Sequence, residues 1–130
     1  MANPNIISGT TVLGGNAGWN LSNTLTSTLL EVDSNKLVKI NRITCANVDG
    51  SANAALDLFV DTLGSGADGV TLTGQGSTVY LAKTIVVPPD ATLVISDNPI
   101  YLMEGNILKG GASATGDLDL FISYEVFDDA

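Results

Sequence analysis

The sequence predicts an all-β fold: a single antiparallel β-sandwich of about eight or nine short strands, in a jelly-roll or related Greek-key topology. Three observations carry this. Composition favours strands and turns over helices: 13 Thr, 10 Ser and 11 Asn stand against only 3 Glu and 4 Lys. Several segments alternate apolar and polar residues with period two. Turn-forming clusters separate these segments at short spacing, and no long segment shows a helical period. An immunoglobulin-like sandwich is the alternative. Against it, Cys45 has no partner cysteine and Trp19 precedes the predicted strands.

In chain order, residues 1–15 read as an N-terminal arm or first strand, with Ile6 to Leu13 as the extended part, and residues 16–130 as one sandwich domain. Leu25 to Val32 is a short strand candidate, closed by the Asp33-Ser34-Asn35 turn. Leu37 to Asn47 is a longer strand whose apolar phase changes: Val38 and Ile40 share one parity, Ile43 and Cys45 the other. A bulge near Asn41-Arg42, or burial on both faces, accounts for the change. A turn at Val48-Asp49-Gly50-Ser51 follows, with Gly50 free to take positive φ.

Ala55 to Thr62 places Leu56, Leu58 and Val60 on one face and Asp57 and Asp61 on the other, with Phe59 as an apolar exception. Leu63 to Ser77 holds five glycines in 15 residues and reads as a long loop, with Val70-Thr71-Leu72 as a candidate extra strand inside it. Thr78 to Val87 puts Val79, Leu81, Ile85 and Val87 on one face, with Lys83 among them, and Pro88-Pro89-Asp90 ends pairing. Thr92 to Ser96, Ile100 to Met103 and Ile107 to Lys109 are short strands separated by Asp97-Asn98-Pro99 and Glu104-Gly105-Asn106. Gly110 to Gly116 reads as a flexible connection. The last strand, Asp117 to Phe127, turns Leu118, Leu120, Ile122, Tyr124 and Val126 inward. Asp117, Asp119, Ser123, Glu125, Phe121 and Phe127 point outward, and a covering loop is expected over Phe121.

Composition also excludes function classes. With no His, neither Ser-His-Asp nor Cys-His catalysis nor a histidine-ligated metal is available. One Cys permits no internal disulfide and no thiolate zinc cluster. A net charge of -9 repels phosphate and argues against nucleic-acid binding. No apolar run reaches the length of a membrane span, and the first residues lack the basic and apolar blocks of a signal peptide. A protein made and kept in a reducing cytoplasm, or assembled there into something larger, is expected.

Site chemistry is sparse. Asp117 and Asp119 share a strand face about 7 Å apart, but an ordinary solvated face has the same pattern. Calcium is the best cofactor candidate, because Asp and Asn supply hard oxygen ligands. Asp49-x-Ser51-x-Asn53 begins like an EF-hand loop and then departs from it at Ala54 and Val60, leaving Asp68 or Asp97 with Asn98 as oxygen donors. No cofactor is therefore expected, and no enzyme activity. Cys45 reads as a small buried hydrophobe. Lys36, Lys39 and Arg42 hold three of the five basic charges, ready to pair with acidic groups of this chain or of a partner. The residues expected to make contacts are Ile6, Ile7, Val12 and Leu13 of the arm, together with Trp19 and Phe127.

Several segments carry a family resemblance: Met1 to Ile6, Lys39 to Asn41 with Ala46 to Gly50, Val87 to Leu93, Pro99 to Leu102 with Glu104-Gly105, Asp117-Leu118 and Ser123 to Glu125. Through these the chain resembles the small virion structural proteins of tailed bacteriophages, particularly phages of marine cyanobacteria. It departs from that pattern at Asn106, where the turn often carries Asp, and in the longer loop of residues 63–77. The resemblance implies a non-enzymatic part of the particle. A capsid decoration or cement protein on the outer surface of the head is expected, with the major capsid protein or other virion proteins as partners and with self-association. A neck, tail, baseplate or fibre protein is the alternative. A carbohydrate-binding module is the alternative of another class.

Overall fold

The computed structural model describes residues 11–64 and 69–128. Nine strands run through them: β1 (Thr11–Asn20), β2 (Thr28–Glu31), β3 (Lys36–Asn47), β4 (Ala54–Asp61), β5 (Thr78–Val87), β6 (Thr92–Ser96), β7 (Ile100–Leu102), β8 (Ile107–Ala112) and β9 (Leu118–Asp128). Among the described residues there is no helix, and hence none long and apolar enough to cross a membrane. All pairings are antiparallel. One sheet has the order β1-β9-β3-β6, with β7 also on β3; the other has the order β2-β8-β4-β5.

β6 and β7 pair with successive stretches of β3, Ile43 to Ala46 and Val38 to Ile40. They are one strand interrupted at Asp97-Asn98-Pro99, where proline supplies no amide to a ladder. With that strand counted once, the two sheets read first-eighth-third-sixth and second-seventh-fourth-fifth. This is the jelly-roll order, eight strands in two facing sheets.

The core lies between the sheets. Ile40, Ile43, Cys45, Leu118, Leu120 and Ile122 of the first sheet meet Leu56, Leu58, Val87 and Leu108 of the second. The phase change in β3 is a bulge: Ile40 opposes Tyr124 and Arg42 opposes Ser123, leaving Asn41 as the extra residue. Its amide donates to Glu125 Oε1 at 3.2 Å. β5 carries two register shifts, between the Leu56 and Leu58 pairings and between those of Leu58 and Phe59. Thr84 takes φ 52° at the first, and its N–H donates to Asp57 Oδ1 at 2.7 Å. These shifts move Lys83 off the apolar face on which simple alternation placed it and set its Nζ over the Tyr80 ring.

Other elements differ from the sequence reading. β1 reaches Asn20, so Trp19 belongs to a strand, and the strand runs unbroken across the expected arm–domain junction at residues 15 and 16. β2 is shorter than Leu25 to Val32 because Ser27 turns back, through its N–H and Oγ, to the Thr24 carbonyl. β8 continues through Gly110-Gly111-Ala112, which read as a flexible connection. Backbone proximity explains those glycines: a Cβ on Gly110 would collide with the Asp57 carbonyl oxygen, and one on Gly111 would stand 2.7 Å from that of Ser22. Val70-Thr71-Leu72 forms no strand. Gly50 does not take positive φ. That turn is held instead by Asn47 Oδ1, which accepts from Asp49 N–H, and by Asp49 Oδ1, which accepts from Ser51 N–H. Asn106 does make its turn: Oδ1 accepts from Met103 N–H, and Nδ2 donates to the Thr62 carbonyl.

Candidate functional site

The residues expected to make contacts converge on β1 and its neighbour β9. The two strands pair over ten consecutive positions with no register shift, Val12 opposite Phe127, Leu13 opposite Val126 and Trp19 opposite Leu120. Directly paired residues share a face of the sheet. Leu120 and Val126 belong to the core, so Leu13 and Trp19 have inward parity, while Val12 and Phe127 stand on the outer face. Trp19 is partly buried against the core. Val12 is 50% exposed and Leu13, near the start of the strand, 56%. Phe127 is half-buried. Ile6 and Ile7 lie outside the described residues.

Register builds the rest of that outer face. Phe127 is flanked by Val12 on β1 and Leu37 on β3, which makes a first apolar row. Leu37 is buried there although it points away from the core. Phe121 is flanked by Gly18 on β1 and Thr44 on β3, and Thr44 by Val94 on β6, which makes a second row. Phe121 and Val94 are both 48% exposed, and among the described residues no loop covers Phe121, contrary to expectation. A polar band separates the rows. In it Lys39 Nζ lies 3.8 Å from Glu125 Oε1, which also accepts from Asn41, and Tyr101 stands beside Lys39, half-exposed. Lys36, on the opposite parity at the end of β3, lies 3.0 Å from Asp128.

Two members of this face, Val94 and Tyr101, were not singled out from sequence. Thr92 to Ser96 holds three consecutive apolar residues and so shows no alternating phase. Only pairing with β3 shows that Leu93 opposes buried Cys45 while Val94 opposes Thr44.

The outer face of the other sheet is differently built. Phe59 has outward parity but is only 7% exposed. Tyr80 lies against it, ring centroids 5.0 Å apart, and Lys83 Nζ sits 4.7 Å from the Tyr80 centroid. Nearby, Asp61 accepts from Lys109 Nζ at 2.9 Å, from Thr78 Oγ1 and from Thr62 N–H. The Lys109 hydrogen bond, then that of Thr78, holds the Asp61 carboxyl below the usual carboxylate range.

The remaining carboxylates considered from sequence shape local backbone. Asp57 holds the β5 bulge, and Asp119 accepts from Asn20 Nδ2 at 2.8 Å. Asp49 is held below the usual range, first by the Ser51 N–H and then by the Ser51 hydroxyl. Among the described residues no three His, Cys, Asp or Glu side chains converge on one point; Asp68 lies outside them. Cys45 is buried, and its thiol is pushed up to about 11, first by burial and then by the Asp119 charge. At neutral pH it is a thiol, not the nucleophilic thiolate. This surface offers contact: exposed apolar side chains on paired strands, with the Lys39–Glu125 ion pair between the two rows.

A scan of the sequence against protein-family models gives no match, and no curated protein matches it.

Proposed function

We propose that this chain is a structural protein of a bacteriophage particle, a decoration protein that docks on the assembled head. One observation carries the reading. The outer face of the β1-β9-β3-β6 sheet leaves Val12, Phe121, Val94 and Tyr101 about half-exposed on strands, in a molecule of net charge -9. Exposed apolar groups gathered on one face mark a contact surface. The jelly roll supports the reading at the level of fold, since it is a common architecture of viral capsid domains and also of lectins, and fold alone does not assign function. The segments that resemble phage virion proteins support it at the level of sequence.

The mechanism is mechanical. A ligand that binds the assembled shell and not its separate subunits stabilises the shell by mass action. The acidic surface suits the outside of a particle and disfavours a place against packaged DNA.

Quantitative mass spectrometry of purified particles tests this by counting copies of the chain per copy of the major shell protein. A ratio near one is the expected result. A ratio of a few per cent would move the chain to the neck, tail or fibres and remove the stabilising mechanism. Absence from particles would overturn both placements and favour the sugar-binding alternative.

A further inference from the structure

Sheet edges invite pairing with other chains, and proteins blunt them with short strands, bulges, prolines and charges, lysine above all. Three of the edges among the described residues are blunted in this way. β2 has four residues and a register shift. β5 has two register shifts, Lys83 and the positive φ of Thr84, and runs into Pro88-Pro89. On the fourth side of the sandwich β6 has five residues and a shift, and Pro99 separates it from the three residues of β7. β1 has none of these devices. It is ten residues long, in register at every position, and contains neither proline nor charge.

The lack of charge extends beyond the strand. Residues 1–30 carry no charged side chain; all 14 acidic and five basic residues lie from Glu31 onward. A basic partner would be held best by an acidic strand. A partner of the same sign, such as a second copy at -9, is repelled least where charge is absent.

We propose that β1 is a dimerisation strand: a second copy adds its own β1 antiparallel across a two-fold axis, joining the two sheets edge to edge. An isologous contact requires a self-complementary strand, and β1 meets that requirement. If inner faces are to stay aligned, residues of equal parity must oppose each other. A two-fold axis at Asn16 then sets half-exposed Leu13 against the partner's Trp19, and Gly14 against the partner's Gly18. Around Gly14 a Cβ would find nothing within 4 Å, so the strand is open there. Main-chain hydrogen bonds along the edge supply affinity, as in other β-additions. The inference rests on the edge and not on the virion reading.

Light scattering coupled to size-exclusion chromatography of the full chain, across a range of concentrations, tests it. The expected mass is twice the 13.4 kDa of the chain. Leu13→Asp sets a carboxylate against the partner's Trp19 and Gly14→Asp sets one against the partner's Gly18, once in each half of the seam; each is expected to halve that mass while the far-ultraviolet β spectrum stays unchanged. If Leu13→Asp unfolds, Gly14→Asp decides, because its side chain enters open space. Val86→Asp, at a 52% exposed position on the β5 edge, is expected to leave the dimer intact. A mass of one or three chains, a dimer that survives Gly14→Asp, or a dimer broken equally by Val86→Asp would overturn the proposal. None of these results would alter the copy number in particles, so the two proposals fail separately.

Discussion

A methyl group added at Gly110 would strike the Asp57 backbone, whereas one added at Gly14 would meet nothing, although both residues lie in strands and neither has positive φ. The two alanine variants should therefore move stability in opposite directions. Gly110→Ala is expected to lose about 1–3 kcal/mol, the usual cost of overpacking. Gly14→Ala is expected to gain about 0.5 kcal/mol, because alanine has less backbone freedom to lose on folding. Urea denaturation midpoints check both. Cys45 gives a prediction in pH. Its folded thiol titrates at about 11 against an ordinary value of 9.0, so the folded state holds the proton more tightly than the unfolded state. That contribution is complete below pH 9.0 and is lost as pH rises toward about 11. Other groups titrate in the same window, so the readout is a difference: the denaturation midpoint of wild type should fall more steeply there than that of Cys45→Ala. Parallel curves would refute the assignment.

At the scale of elements, what was legible followed from local rules. Strands with alternation, β4 and β9, and turns marked by Asx residues or proline could be read directly, while the β3 phase change left a bulge or burial on both faces until the pairing with β9 showed the bulge. The contacts that defeated the reading are remote in sequence. Gly110 and Gly111 look like turn residues until the Asp57 and Ser22 backbones are brought against them. The two bulges of β5 add one residue each, so the parity of Val79 and Val87 survives while Lys83 between them changes face. The candidate face suffered likewise: Phe127 was visible by parity and Val12 as part of the extended arm, but Val94 and Tyr101 join them only through pairing with β3. The β3 bulge supports a direct test. Deleting Asn41 removes the extra residue and makes the Ile40–Tyr124 and Arg42–Ser123 pairings consecutive, so Val38, Ile40 and Ile43 all keep facing the core. The deletion should therefore keep a cooperative thermal transition followed by circular dichroism. Loss of the transition would show that the bend at the bulge, and not register alone, is needed for the fold.

For the molecule as a whole, charge opposes compactness. Fourteen acidic residues face five basic ones, and three of the basic residues, Lys36, Lys39 and Lys109, are engaged in short-range, partly exposed ion pairs that contribute little each. Repulsion among the remaining carboxylates acts over longer distances, and salt screens it beyond roughly 10 Å at 0.1 M. Added sodium chloride is therefore expected to raise the melting temperature from its low-salt value, and a fall would mean that the local pairs dominate. Topology adds a constraint in time. β9 lies between β1 and β3, and the Asn20 and Asp119 side chains that meet across β1 and β9 are 99 positions apart in the chain. Such pairing must close a very long loop before it gains contacts, which places folding toward the slow, millisecond-to-second end for small domains. A copy cut short before β9 leaves β1 and β3 with no common neighbour, so neither apolar row can form. Under the proposed docking role, the face doubles as a proof of completion, because a copy without β9 lacks both rows.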